Sequence, residues 1–253
     1  MTTIVVTGGT GTLGRPLVRL LRDAGHEVRV LSRSSAEYPV DLAEGTGLDA
    51  ALAGAEVVVH CASSPRGGDG KAAARLVAAA RTAGVRHLVY ISIVGVDRVP
   101  LPYYKAKYGV ERLVEESGLG WTVLRATQFH DLVLGYFRAV GKLPVLLVPA
   151  GVSDQPVEVE EVAARLAELA VAPPAGRVAD MGGPETRLVA DLARVYLRAA
   201  GRRRPVLGVR LPGKTFAAFR RGGHLAPAHA VGTVRFTEFL DRQGIRAATG
   251  HRA

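Results

Sequence analysis

Short apolar runs alternate with amphipathic stretches along the first half of the chain. Runs rich in β-branched residues predict buried strands, and stretches with a helical period predict helices. We expect strands just before Gly8 and at residues 26–31, 38–42, 56–62, 86–92 and 121–125. We expect helices at residues 15–24, 48–53, 71–83 and 102–116. Because the two kinds of element alternate, the pattern predicts an α/β fold with a doubly wound parallel sheet and helices on both faces.

The second half of the chain has a less regular pattern. It predicts an apolar helix from Gly135, a strand at residues 145–148, a helix after residues 154–163, and helices near 188–200 and 233–242. A chain of 253 residues is long for one domain but common among α/β folds. We therefore expect a single domain over residues 1–253, with a core at 1–134 and a mainly covering part at 135–253.

The first strand ends in a glycine-rich turn, Thr7-Gly8-Gly9-Thr10-Gly11-Thr12-Leu13-Gly14, and a helix pattern follows. A strand, such a turn and a helix in this order begin the dinucleotide site of doubly wound folds. Gly8 permits the tight turn, Gly11 lets the backbone approach a pyrophosphate, and Gly14 lets the helix pack on the strand. The motif predicts a dinucleotide site, and a glycine-rich turn without a ligand is the alternative.

Arg33 bears on which dinucleotide we expect. It lies in Ser32-Arg33-Ser34, at the end of the second predicted strand, where an acidic residue would bind the 2′-hydroxyl of NAD. A guanidinium instead suits a 2′-phosphate. The sequence therefore favours NADP, as NADPH, over NAD, unless Arg33 is only a solvated loop residue.

Composition excludes several other classes of protein. The formal net charge is +10, but the arginines are dispersed and no nucleic-acid-binding motif accompanies them, so we expect no nucleic-acid partner. Cys61 is the only cysteine, which rules out an internal disulfide and a cysteine-built metal site; we expect no metal. The chain has no signal-peptide pattern and no apolar stretch of bilayer length, so we expect a cytoplasmic protein without a membrane partner. A homodimer is among the oligomeric states that the sequence leaves open.

Tyr103 and Lys107 are the strongest candidates for chemistry. They lie four positions apart on a predicted helix, which puts them on one face, about one turn apart. An ammonium that close would lower the pKa of the tyrosine and make it a usable proton donor or acceptor. Such a pair is also common on surface helices.

At this point the sequence resembles a known family. The glycine-rich turn, Asp41-Leu42, Tyr90-Ile91-Ser92, residues 103–107 and residues 120–125 are similar to the atypical short-chain dehydrogenase/reductases, in the NmrA-like, NAD(P)H-binding branch. The resemblance implies a Rossmann fold that binds NADP or NAD.

The resemblance also assigns roles to residues. It implies that Asp41 and Leu42 lie beside the adenine, Cys61 and Ala62 beside the cofactor ribose, and Tyr103 with Lys107 near the nicotinamide ribose. Ser92 matches the Ser or Thr that enzymatic members place after the fifth strand to bind the substrate oxygen. Ser63 begins a Pro/Gly loop, residues 63–70, that we expect to pass beside the cofactor.

The expected function is NADPH-dependent transfer of hydride to a small organic substrate, such as a carbonyl, enone or quinone-like compound. Thr127, Gln128 and Phe129 follow the sixth predicted strand, at the edge of the sheet where ligands bind, and are candidates for the substrate pocket. Two alternatives stay open: a non-catalytic NADP-sensing regulator, and an epimerase or dehydratase that retains its NAD(P).

Residues 208–215 match the phosphate-loop pattern GxxxxGK[ST] letter for letter. That motif needs a buried strand before it and a second strand with an acidic end. Residues 205–207 are a poor strand in sequence, and no acidic strand follows. We expect a turn that leads into a helix at residues 215–220.

Overall fold

The computed structural model describes residues 1–33, 35, 37–64 and 67–246. Ser34 of the Arg33 turn and Pro65 and Arg66 of the predicted 63–70 loop lie outside the described residues. The helices and strands, in chain order, are β1 (Thr3–Thr7), α1 (Gly14–Asp23), β2 (Glu27–Leu31), α2 (Leu48–Leu52), β3 (Val57–His60), α3 (Asp69–Thr82), β4 (His87–Ile93), α4 (Pro102–Glu115), β5 (Gly120–Ala126), α5 (His130–Val140), β6 (Leu146–Pro149), β7 (Ser153–Asp154), α6 (Val159–Val171), β8 (Gly176–Arg177), β9 (Arg187–Leu188), α7 (Val189–Ala199), β10 (Val206–Val209), α8 (Lys214–Arg220) and α9 (Phe236–Arg242).

The chain forms two compact units. The first contains residues 1–97, 101–126 and 159–180, and the second contains residues 98–100, 127–158 and the chain from 181 onward. The first unit thus takes elements from both sides of residue 134. The division of a single domain into a core at residues 1–134 and a covering part at 135–253 stays a prediction.

The first unit is built on a parallel six-stranded sheet in the order β2-β1-β3-β4-β5-β8. The central strands β1, β3, β4 and β5 are buried at most positions, as expected for strands covered on both faces. One face packs against α2, α3 and α4, whose buried residues share a core with Val5, Val58 and Val123. Helices α1 and α6 pack together and against the strands on the other face. The predicted doubly wound α/β fold is confirmed.

Two details of the sheet differ from the prediction. The expected strand at residues 38–42 is wrong, because this segment makes only the isolated bridges of Ser32 with Pro39 and of Asp41 with Thr46. Proline lacks the N–H that a ladder requires, and Gly45 and Gly47 have positive φ values of +83° and +82° that turn the chain. The edge strand β8, next to β5, has only two residues, which are too few to give a recognisable sequence pattern.

A buried ion pair fixes the helix that carries Tyr103. Arg125 on β5 donates from Nε and Nη2 to the two carboxylate oxygens of Glu111 on α4, at 2.8 and 2.6 Å. Arg125 also donates to Asp97 at 2.9 Å. Because the guanidinium and the Glu111 carboxylate are almost fully buried, this bidentate pair sets the position of α4 against the sheet.

The second unit has its own core. Helices α5, α7 and α9 pack around aromatic side chains, including Phe137, Tyr196 and Phe236. Strand β10 pairs in parallel with β6, and β7 pairs antiparallel with β9.

Residues 206–209 form a strand although they read as a poor strand in sequence, because β6 supplies the backbone partners that local propensity does not reveal. The strand is largely exposed, so the buried strand that a phosphate loop needs is not present there. The helix after the turn is confirmed as α8, but the Thr215 hydroxyl donates to Pro100 O at 3.1 Å. None of the helices in the described ranges is long and apolar enough to cross a bilayer.

Candidate active site

The glycine-rich turn has the close contacts that its motif requires. Gly8 has φ +68°, and a Cβ there would lie 2.8 Å from the Cα of Ala62. A Cβ on Gly14 would overlap the carbonyl oxygen of Gly8, so only glycine allows α1 to begin so close to β1. At Gly11 a Cβ would meet only Gly8 O, at 3.2 Å, which leaves that backbone accessible from outside. The turn therefore presents bare backbone to a ligand.

A cavity of about 610 Å³ opens beside this turn. Its walls come from the carboxyl ends of β1, β2 and β3, the segment after β2, and the start of α3, which is where doubly wound folds bind ligands. Among the described residues it is lined by Gly8, Thr10, Gly11, Leu31, Ser32, Arg33, Val40, Asp41, Leu42, Ala43, His60, Cys61, Ala62, Ser63, Ser64, Gly67, Gly68, Asp69 and Ala72.

Most of the predicted cofactor residues line this cavity. Arg33, Asp41 and Leu42 lie on the side after β2, and Cys61, Ala62 and Ser63 lie after β3. The other predicted cofactor residues, Thr7, Thr12, Leu13, Gly14 and Lys107, are not part of its walls. The cavity size and its bare glycine backbone fit a dinucleotide.

His60 is a cavity residue that the sequence analysis missed. Its Nδ1 lies 2.7 Å from Thr7 Oγ1, which also accepts from Ala62 N at 3.3 Å. The Thr7 proton has no other acceptor among the described residues, so Thr7 donates to Nδ1 and the hydrogen-bond network assigns the proton of His60 to Nε2. Burial lowers the pKa of His60 to about 3, and the nearby Lys107 charge adds to this. His60 is a neutral side chain in the cavity wall.

His60, Tyr90 and Lys107 form a stack of three side chains. The ring of His60 stacks on Tyr90 with centroids 5.4 Å apart, and the Lys107 ammonium lies 4.9 Å from the centroid of the same Tyr90 ring. Lys107 is 4% exposed, and Nζ donates to Ile91 O at 3.3 Å. This bond uses one of the three donors of the ammonium. Burial lowers the pKa of Lys107.

Tyr103 lies beside the cavity. Its hydroxyl is 2.9 Å from Oγ of Ser63, a residue of the cavity wall, and 37% of the residue is exposed. The expected lowering of the Tyr103 pKa by Lys107 is wrong. Burial raises the pKa of Tyr103, and the Lys107 ammonium is directed at Ile91 and Tyr90 instead. One helical turn brings the two residues to one face but does not fix where a long lysine side chain points.

The thiol beside the cavity has little nucleophilic character. Cys61 is half-buried, and burial raises the pKa of its thiol to about 12. A neutral thiol is a poor nucleophile. Cys61 is therefore a wall residue.

The remaining candidates lie in different surroundings. Ser92 is buried on β4, and its Oγ has no hydrogen-bond partner in the described part of the chain. In the second unit, buried Thr127 donates its hydroxyl proton to Gln155 O at 2.5 Å. Gln128 O accepts from Val157 N at 2.9 Å, and Phe129 forms a bridge with the same residue. Their roles toward a substrate stay predictions.

Asp69 is the second functional residue that the sequence analysis missed. It begins α3, is 8% exposed and lines the cavity. Its Oδ2 accepts from Ser63 Oγ at 2.8 Å and its Oδ1 accepts from Ser64 N at 2.8 Å. A signal for this residue was present, because an acidic residue directly after Gly67-Gly68 and before a helix pattern is a typical helix start.

The geometry of a glycine turn at the first strand, with a cavity at the carboxyl edge of a parallel sheet, defines a dinucleotide-binding class of protein. Residues 8–173, more than half of the chain, match the family described as NAD(P)H-binding. The protein belongs to this family, as the resemblance of its motifs predicted.

Two curated relatives are similar to this chain over different shares of its length. The chain is 32% identical over 218 residues to (4-alkanoyl-5-oxo-2,5-dihydrofuran-3-yl)methyl phosphate reductase of Streptomyces griseus, a match that covers 79% of this chain and 74% of the relative. It is 30% identical over 154 residues to the chloroplast protein High chlorophyll fluorescence phenotype 244 of Arabidopsis thaliana. That match covers 54% of this chain and only 39% of the relative's length.

A solved structure has the same fold. The NADPH-dependent quinone oxidoreductase QOR2 of Escherichia coli, complexed with NADPH, matches with a TM-score of 0.83 at 20% identity, over 95% of this chain and 99% of that one. At this identity the likeness concerns the fold alone.

Proposed function

We propose that the protein is an NADPH-dependent oxidoreductase that reduces a small organic acceptor such as a carbonyl, enone or quinone-like compound. The observation that carries this proposal is the Tyr103 hydroxyl, which is hydrogen-bonded to Ser63 in the wall of the predicted cofactor cavity. Its raised pKa keeps it protonated near neutral pH, as a proton donor needs. The Streptomyces griseus relative, named as a reductase of an unsaturated oxo compound, supports the acceptor class.

Residues of the cavity, together with Lys107, would hold the cofactor in a defined order. The bare backbone at Gly8 and Gly11 suits a pyrophosphate, and Arg33, exposed in the wall after β2, suits the 2′-phosphate of NADPH. Asp41 and Leu42 would lie against the adenine, and Cys61 and Ala62 against a ribose. Lys107 retains two N–H donors beyond its bond to Ile91 and would serve the nicotinamide ribose.

The reduced nicotinamide supplies hydride when it is bound. The chain's own part of the reaction is a proton transfer: Tyr103 donates its hydroxyl proton to the acceptor oxygen as negative charge develops there. Ser92 would orient that oxygen, and Thr127, Gln128 and Phe129 would contact the acceptor.

The first experiment measures nucleotide binding by nicotinamide fluorescence, with NADPH and NADH, in wild type and Arg33→Ala. We expect the variant to bind NADPH about 10- to 100-fold more weakly, because a charged hydrogen-bond partner of the 2′-phosphate contributes about 1–3 kcal/mol. Affinity for NADH should change little. Arg165→Ala is the matched control, since it removes an exposed arginine of α6 that is not part of the cavity wall.

Turnover distinguishes this proposal from its alternatives. Tyr103→Phe should retain NADPH affinity and lose about 10²- to 10⁴-fold in rate with quinone or enone acceptors. Binding of NADPH without turnover of any such acceptor by wild type would favour a cofactor sensor. Copurification of tightly held NAD(P) would favour an epimerase or dehydratase. Absence of binding to either nucleotide would overturn the cofactor assignment.

A further inference from the structure

Tyr103 ends a chain of hydrogen bonds that starts at a buried carboxylate. The distance is 2.9 Å from Tyr103 Oη to Ser63 Oγ and 2.8 Å from Ser63 Oγ to Asp69 Oδ2. The second carboxylate oxygen, Oδ1, accepts from Ser64 N at 2.8 Å. Both oxygens of Asp69 are therefore engaged, and the carboxylate is held at the first residue of α3.

Only one placement of the protons satisfies the hydrogen bonds that connect Tyr103, Ser63 and Asp69. An ionised carboxylate only accepts hydrogen bonds, so the single hydroxyl proton of Ser63 points to Asp69. Ser63 Oγ then has no proton left for Tyr103 and accepts the Tyr103 proton instead. The direction of donation therefore runs from Tyr103 to Ser63 to Asp69.

We propose that Asp69 is a positioning residue: by holding the proton of Ser63, it makes Ser63 an acceptor and keeps Tyr103 as a neutral phenol poised to give its proton. This inference rests on the proposed function. In the reduction, the acceptor carbon gains hydride from the reduced nicotinamide, which is oxidised. The O–H bond of Tyr103 breaks, an O–H bond forms on the acceptor oxygen, and the phenolate then regains a proton from solvent.

The other groups around Tyr103 do not reverse this arrangement. Burial is the largest cause of the raised pKa of Tyr103; the hydrogen bond with Ser63 lowers that pKa, and the charge of Asp69 on α3 raises it. On α4 the Lys107 ammonium is directed at Ile91 O and at the ring of Tyr90 on β4. The neighbouring ring of Tyr104 lies tilted at 6.5 Å.

Asp69→Asn removes both effects of the carboxylate on Tyr103: the negative charge, which raises the Tyr103 pKa, and the hydrogen bond that holds the Ser63 proton. The amide would keep its carbonyl oxygen on Ser64 N and donate from its NH₂ group to Ser63 Oγ, which would turn the Ser63 proton toward Tyr103. A hydrogen bond donated to the phenolate favours it. We expect the acid dissociation constant of Tyr103 to rise at least about tenfold, which is one pKa unit. The basic limb of the pH–rate profile should move to lower pH by the same amount.

The readout is the near-ultraviolet absorbance of tyrosinate as a function of pH, taken as the difference between each protein and the same protein carrying Tyr103→Phe. Asp49→Asn is the matched control, because Asp49 is an exposed carboxylate in the first turn of α2. It should leave the Tyr103 titration unchanged. The measurement needs neither acceptor nor cofactor, so it stands or fails separately from the proposed reductase activity.

Ser63→Ala provides a second test that keeps the Asp69 charge. If Ser63 accepts from Tyr103, its loss removes a bond that favours the neutral phenol, and the Tyr103 pKa should fall. If Ser63 donates, the pKa should rise. A rise in Ser63→Ala, or an unchanged Tyr103 titration in a folded Asp69→Asn variant, would overturn the proposal. Should Asp69→Asn fail to fold, the sign of the Ser63→Ala shift decides alone.

Discussion

At the residue scale, the sequence identified the candidate site residues whose type and spacing are characteristic by themselves. Gly8, Gly11 and Arg33 stand in recognisable spacing after predicted strands, and all three line the cavity. His60 and Asp69 were missed because a histidine at the end of a strand and an aspartate at a helix start are ordinary in sequence. Their importance comes from their partners, Thr7 and Ser63, which are distant along the chain or lie across a loop.

His60 makes a prediction about acid stability. Its pKa is about 3 in the folded protein and about 6.5 in the unfolded chain, so the unfolded chain takes up a proton first as the pH falls. The contribution is fully present above pH 6.5 and is lost between pH 6.5 and 3, by about 1.4 kcal/mol per pH unit for one such group. His224, with a pKa of about 4, adds to the loss in the same range.

Urea denaturation between pH 7 and 4.5 checks this. In His60→Gln the free energy of unfolding should be lower at pH 7, because the buried bond to Thr7 changes, but it should fall less steeply with decreasing pH. The surface variant His229→Gln should keep the wild-type slope. A slope in His60→Gln equal to that of wild type would show that His60 is not the titrating group.

At the element scale, the strand and helix patterns that were long or strongly apolar were predicted to within a few residues. The glycine-rich turn is the best case, since Gly14 must approach Gly8 and Gly9 within the turn itself and Gly8 has a positive φ that favours glycine. The strand predicted at residues 38–42 was wrong, because the apolar residues of this segment pack into the core without forming a ladder. Strand β10 was missed because its partner, β6, is about 60 residues away.

The prediction at the element scale concerns Gly14, where helix α1 begins against the glycine-rich turn. In Gly14→Ala the new methyl group would overlap Gly8 O and lie 2.5 Å from Gly9 Cα, all backbone atoms that cannot move without opening the turn. We expect a loss of about 1–3 kcal/mol in the free energy of unfolding and weaker NADPH binding. Thermal unfolding and the fluorescence titration measure both.

The matched control is Gly109→Ala, at an open position on α4 with no atom within 4 Å of the new Cβ. Because alanine is favoured over glycine in a helix, this variant should be neutral or up to about 1 kcal/mol more stable. If Gly14→Ala behaved like Gly109→Ala, the close approach of α1 to the turn would be refuted.

At the scale of the whole molecule, the chain does not build its first unit from one continuous stretch. Helix α6 and strand β8, residues 159–177, join the sheet formed by residues 3–126. Val162, Ala163 and Leu166 of α6 are fully buried, and α6 packs against α1 and the central strands. Without α6, this apolar face of the first unit would be open to water.

A fragment of residues 1–134 should therefore lack a cooperative fold, although it contains the glycine-rich turn and Tyr103. We expect helical circular dichroism without a cooperative thermal transition, binding of a hydrophobic dye, and no NADPH binding. The full chain under the same conditions is the reference. Cooperative unfolding of the fragment, together with NADPH binding, would contradict this expectation.

The sequence by itself determined the α/β class, the dinucleotide turn and the NAD(P)H-binding family, because these depend on local periodicity and on glycine sterics that act over short stretches. Only the tertiary structure decided that α6 and β8 complete the first unit, that Lys107 is directed at Tyr90 and Ile91, and that Ser63 and Asp69 lie at the Tyr103 hydroxyl. These features depend on which distant segments meet and on the directions of side chains. Both are set by packing and by the pairing of buried polar groups, which a single sequence does not encode in any local pattern.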